Sequence, residues 1–167
     1  MNDAQLLPEL HMIALKRLLD LELPEQIHWA LTGSAGLRLQ GVEVPIHDLD
    51  IQSDRAGVDE IVSQILTEVI EAPMIKESPR MRSYFGVALI AGVKVELMGD
   101  IQHRLPDGNC EAPIDVLTYL RWVDWEGRRV PVLDLNYEAQ AYARMGRSDK
   151  TSAIINALTS IGESKDG

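Results

Sequence analysis

After Pro8, apolar residues recur at spacings of three and four, at Leu10, Ala14, Leu18 and Leu21. That period predicts a helix with one buried face, opened by Pro8 and closed before Pro24. Ile27 to Thr32 is a short apolar run ending at Gly33, which reads as a buried strand. Ser34 to Gln40 then allows two helical turns with Ser34 near the N-cap, and Gly41 and Pro45 break them. From His47 to Gln52 acidic and apolar residues alternate, the period of a strand. The strongest amphipathic helix is predicted over Val58, Ile61, Val62, Ile65, Leu66 and Val69. Two strands, Tyr84 to Ile90 and Val93 to Met98, flank Ala91-Gly92 and read as a hairpin. Asp107-Gly108-Asn109 marks a loop, and a second hairpin turns at Glu126-Gly127 and ends in Val130 to Leu133. The last third is helical in pattern, broken at Gly146 and restarted at Ser148, with Ile154, Ile155, Leu158 and Ile161 on its apolar side. Glu163 to Gly167 reads as a frayed tail.

Helices interleaved with strands and hairpins predict an α+β fold, a mixed sheet backed by helices. Residues 1–133 are expected to form the main domain, with 134–167 a C-terminal helical segment packed on it. The length of 167 residues suits that single unit.

Chemistry enters with Asp48-Leu49-Asp50-Ile51. Residues two apart on a strand share a face, so Asp48 and Asp50 project together while Leu49 and Ile51 pack behind them. Two like charges about 4 Å apart, at an effective dielectric of about 20, repel by on the order of 4 kcal/mol. A divalent cation reverses that cost. In the hairpin, Val93, Val95 and Leu97 alternate with Lys94, Glu96 and Met98, which puts Glu96 on the polar face. Three carboxylates meeting on neighbouring strands are a hard-oxygen donor set suited to Mg²⁺ or Mn²⁺. Leu31-Thr32-Gly33-Ser34 places glycine and serine where a strand hands over to a helix, a place where backbone N–H groups receive anions. Arg38 lies one turn beyond Ser34 and is a candidate for the same anion.

These elements together resemble the polymerase-β-like nucleotidyltransferases. The likeness rests on Gly33-Ser34, a spacer from Ala35 to His47, Asp48-Leu49-Asp50-Ile51 and the later Val95-Glu96-Leu97, and spans roughly residues 27 to 100. Arg82-Ser83-Tyr84-Phe85-Gly86 and the stretch from Val93 to Asp100 are similar to small bacterial members that nucleotidylate lincosamides and aminoglycosides. The resemblance implies transfer of a nucleoside monophosphate, AMP first among them, from a nucleoside triphosphate to a small-molecule acceptor, commonly a hydroxyl. It implies that Asp48, Asp50 and Glu96 are catalytic and bind Mg²⁺ or Mn²⁺, and that Gly33, Ser34, Arg38 and Lys150 bind nucleotide. Gly146-Arg147-Ser148-Asp149-Lys150 resembles the basic helix start of these proteins, although many carry Arg-x-Lys-Asp where this chain has Arg-x-Asp-Lys. The alternative within the superfamily is a regulatory, antitoxin-like protein that acts with a helical protein partner; a homodimer is the other expected association.

The remaining composition narrows the setting. A net charge of −10 argues against extended nucleic-acid binding, which needs a basic surface. Cys110 is the only cysteine, so no internal disulfide can form, and no apolar run approaches membrane-span length. The first residues lack a basic, apolar leader, and a cytoplasmic location is expected. His11, His28, His47 and His103 show no zinc-like spacing. Tyr119, Trp122 and Trp125 are read as core in preference to acceptor-pocket residues.

Overall fold

A computed structural model describes residues 6–165, with side chains through Ser160. The molecule is an α+β fold built on one mixed seven-stranded sheet. In chain order its elements are α1 (Glu9–Leu19), β1 (Ala30–Thr32), α2 (Gly33–Leu39), β2 (Leu49–Ser53), α3 (Arg55–Gln64), β3 (Val69–Glu77), β4 (Met81–Ile90), β5 (Val93–His103), α4 (Val116–Tyr119), β6 (Leu120–Trp125), β7 (Arg128–Leu133), α5 (Leu135–Arg144) and α6 (Ser148–Lys165). The strands lie in the order β3-β4-β5-β2-β1-β7-β6. β2 runs parallel to β5 and antiparallel to β1, and β1 runs parallel to β7.

The two faces of the central strands divide the labour. Leu49, Ile51, Val95 and Leu97 join Ala14, Leu15 and Leu18 of α1 and Val58 and Ile61 of α3 in the main core. The residues between them, Asp50 and Glu96, face the other side, where α5 and α6 lie over a cavity. A smaller core joins Leu37, Val42 and Val44 to Leu135, Tyr142 and Ile154, seating both C-terminal helices beside the α2 region.

Both expected hairpins form. Their two-residue turns, Ala91-Gly92 and Glu126-Gly127, hold both residues at positive φ (52° and 80°, then 51° and 71°), the backbone whose twist matches a tight hairpin. Several expectations need correction. The amphipathic run from Val58 to Val69 is not one helix: α3 ends at Gln64, a 3₁₀ turn covers Leu66–Glu68, and Val69 opens strand β3. β3 is an edge strand whose pairing slips around Pro73, a residue that edge positions tolerate. The first strand is only Ala30–Thr32, and the second begins at Leu49 instead of His47. Leu10, expected on the buried face of α1, is 52% exposed; Leu15 takes the interior instead. Thr32, not Ser34, is the N-cap of α2. The helical backbone of α6 continues through Lys165, past the expected fray at Glu163; residues 166–167 and the side chain of Ile161 lie outside the described part. Among the described residues no helix is long and apolar enough to cross a membrane.

Candidate active site

Sheet register assembles the site. Thr32 of β1 stands opposite Asp50 of β2, and Asp50 opposite Glu96 of β5, so three adjacent strands present these residues in one row. Asp48 sits just before β2. Asp50 is hydrogen-bonded to Glu96, and its carboxyl is pushed up to about 8, first by burial, then by the Glu96 bond and charge and by Asp48. Two carboxyls at hydrogen-bonding distance in a partly closed site cannot both ionise cheaply, which favours the protonated form of Asp50. Lys94 supplies the remaining compensation, its ammonium 3.1 Å from Glu96 and 3.9 Å from Asp48. Those acids hold the Lys94 pKa above its usual range, the Glu96 hydrogen bond being the largest cause. Among the described residues no three His, Cys, Asp or Glu side chains are already spaced as a metal cage.

Gly33 follows with φ +66°, and a Cβ placed on it would lie 2.0 Å from Oδ2 of Asp50. The turn into α2 therefore presses directly on the central carboxylate, which only glycine permits. Ser34 is 3% exposed, and its Oγ accepts the backbone N–H of His47 at 3.2 Å. Arg38 donates to the carbonyls of Val44 at 3.2 Å and Leu6 at 2.9 Å, and it does not line the cavity. The reason is helical geometry. Ser34 and Arg38 are four residues apart and share one face of α2, whereas Gly33 is roughly 140° round the helix from Arg38. That shared face carries the segment leading into Asp48. Arg38 thus sits apart from the cluster it was expected to join, and Ser34, on the same helix face, does not line the cavity either.

The cavity above the carboxylates has a volume of about 260 Å³. Gly33, Asp50 and Glu96 line one wall, and Glu138, Tyr142, Arg147 and Lys150 of the C-terminal segment line another. Lys150 stands over the Tyr142 ring, 5.3 Å from its centroid. Burial and Arg147 lower its pKa, while Asp50, Asp149 and Glu138 act in the opposite direction. The transposed Arg-x-Asp-Lys order therefore still delivers a lysine to the cavity.

Four residues here were not singled out from the sequence. Glu138 is 3% exposed on α5, accepts the Thr32 hydroxyl, and is pushed up to about 7, chiefly by burial. Its signal was present: it occupies the apolar face of α5 between Leu135 and Tyr142, where an acid is out of place. Tyr142 also lines the cavity, and burial raises its pKa far above the ordinary phenol value. Gln52, next after Asp50 on the same strand face, is 4% exposed. Its Nε2 forms no hydrogen bond of good geometry, although it lies close enough to Tyr137 to act on that hydroxyl. Tyr137 itself is pushed up to about 12, mainly by burial. The deep end is also shaped by Asp100, at φ 49°, where the β4–β5 register slips by one residue. That bulge turns Ile101 and His103 onto the cavity side, a switch that simple alternation does not forecast. His103 is buried and its pKa is lowered, first by that burial and then by Arg144.

Of the aromatics, Trp125 is in the main core, Trp122 is 53% exposed, and Tyr119 stacks on Tyr137 with centroids 4.2 Å apart. Neither tryptophan lines the cavity.

Comparison with known proteins finds two likenesses. The family model described as aminoglycoside-2''-adenylyltransferase matches residues 14–156. The solved structure of a candidate nucleotidyltransferase from Thermotoga maritima is 39% identical with a TM-score of 0.78, the match covering 90% of this chain and 93% of that one. No curated protein matches the chain.

Proposed function

Because the chain belongs to the aminoglycoside-2''-adenylyltransferase family, we infer that it transfers a nucleoside monophosphate, AMP in the first instance, from a nucleoside triphosphate to a hydroxyl of a small acceptor. The observation that carries this reading is the row of carboxylates. Asp50 and Glu96 stand side by side on neighbouring strands, burial and Glu96 push the Asp50 carboxyl up to about 8, and Lys94 bridges Glu96 and Asp48. Carboxylates crowded this closely favour a compensating positive charge, and hard oxygen donors of this kind are the chemistry Mg²⁺ and Mn²⁺ prefer. Asp48, Asp50 and Glu96 would hold the cation, with substrate phosphate and water completing its shell. A cation bound there supplies Lewis acidity toward the phosphoryl oxygens and the attacking hydroxyl.

The chain's own groups do the rest. Gly33 lets the polyphosphate approach the backbone beside Asp50. Ser34 supports that turn from behind: it is buried, its oxygen holds the His47 amide ahead of Asp48, and it does not line the cavity. Lys150 lines the cavity and stabilises negative charge as pyrophosphate departs. Glu96, within hydrogen-bonding reach of Asp50 and on the cavity wall, is the carboxylate placed to receive the proton of the acceptor hydroxyl. Arg38 is not included in this set, because it is engaged with backbone carbonyls beyond the cavity.

The test is pyrophosphate release from Mg–ATP in the presence of a panel of small hydroxyl acceptors, aminoglycosides among them. Release with at least one acceptor, reduced by about a thousandfold in Asp50→Asn, is expected. Near-wild-type release by Asp50→Asn would defeat the mechanism.

A further inference from the structure

A carboxyl group 3% exposed on the apolar face of a helix is costly unless something requires it. Glu138 spends its hydrogen bonding on two hydroxyls. Thr32, 106 residues away in sequence, donates to its Oε1, and Tyr142 lies within hydrogen-bonding reach on the next turn of α5. Thr32 is the telling partner. It occupies the N-cap of α2 directly before Gly33, yet its side chain makes no capping bond. A threonine there ordinarily turns its oxygen onto first-turn N–H groups. In this chain the hydroxyl is drawn away to α5 instead. Lys150, on the same cavity wall, interacts with the charges of both Glu138 and Asp50.

Resting on the polyphosphate reading given above, we propose that Glu138 is a positioning residue for that end of the nucleotide: it ties the Thr32-Gly33 turn to α5 and keeps Lys150 directed into the cavity. A chain that closed the same fold with leucine at this place would free Thr32 to cap α2 and would release Lys150 from its acidic neighbour.

The experiment compares the full-length wild type with Thr32→Val, Glu138→Leu, the double variant and Glu138→Gln. Two probes are titrated, Mg–ATP and Mn²⁺ alone. Thr32→Val and Glu138→Leu are each expected to weaken Mg–ATP about tenfold or more while leaving Mn²⁺ affinity within about twofold, because the carboxylate row is untouched. The double variant should be no weaker than the poorer single one, as befits two ends of one interaction. Glu138→Gln keeps an oxygen for Thr32 but not the charge facing Lys150, and should bind Mg–ATP better than Glu138→Leu and worse than the wild type. An affinity no better than that of Glu138→Leu would overturn the role of the Thr32 bond. A merely structural role would move both probes together or neither, and either result overturns the proposal. If Glu138→Leu does not fold, Thr32→Val removes the same hydrogen bond from its other end and decides the matter alone. A wild type that binds neither probe overturns the nucleotide reading and this proposal with it, a result read before any variant is made.

Discussion

The central residue is Asp50, whose carboxyl is asked to remain ionisable where its surroundings oppose charge. Unfolded, it titrates near 3.8; folded, its pKa rises to about 8. Between those values the native chain holds a proton that the unfolded chain has lost, so stability of the cation-free protein falls as pH rises from about 4 to about 8. Glu138, pushed up to about 7, contributes in the same direction. Denaturant midpoints measured in chelator should therefore be lower at pH 8 than at pH 5. Asp50→Asn should flatten the slope and be more stable at pH 8 by on the order of 2 kcal/mol. A wild-type midpoint that rises over this interval would contradict the assignment. Gly33 is the second constrained position. Gly33→Ala meets both a positive φ and the Asp50 oxygen 2.0 Å away. It should cost about 2 kcal/mol or more by thermal melting and remove transfer activity.

At the scale of elements, helix starts join the C-terminal segment to the site. Asp134 caps α5, accepting from the N–H groups of Asn136 at 2.9 Å and Tyr137 at 3.2 Å. Asp134→Ala should destabilise the protein by about 1 kcal/mol. Because α5 carries Glu138 and Tyr142, the same change should weaken Mg–ATP binding severalfold, measurable by calorimetry. An intact affinity would mean that α5 is held by packing alone. The elements differ in how plainly they announced themselves. The hairpins were legible because glycine at Ala91-Gly92 and Glu126-Gly127 sits between runs of period two. β3 was hidden because Val69 continues the apolar spacing of α3, and only the chain's turn at Ile65 ends the helix. Local pattern could not choose there, since helix and edge strand accept the same residues.

At the scale of the molecule, four strands and two C-terminal helices converge on one cavity, so a ligand held there bridges parts far apart in sequence. Mg–ATP at a hundredfold excess over its Kd should stabilise the fold by about 2.7 kcal/mol, seen as a raised melting temperature. Asp50→Asn should lose most of that gain. An equal gain in the variant would place the nucleotide elsewhere. The sequence by itself determined the pairing of Asp48 with Asp50, the glycine-serine turn, the third acid on a polar strand face and the mixed α+β character. All of these follow from short-range periodicity, which neighbouring residues set through backbone geometry. Only the tertiary structure decided that Arg38 turns to backbone carbonyls while Lys150 reaches the cavity, that a bulge at Asp100 turns His103 inward, and that Glu138 crosses to Thr32. Those outcomes depend on which surfaces meet after the chain closes, and contacts between residues a hundred positions apart leave no period for a sequence to display.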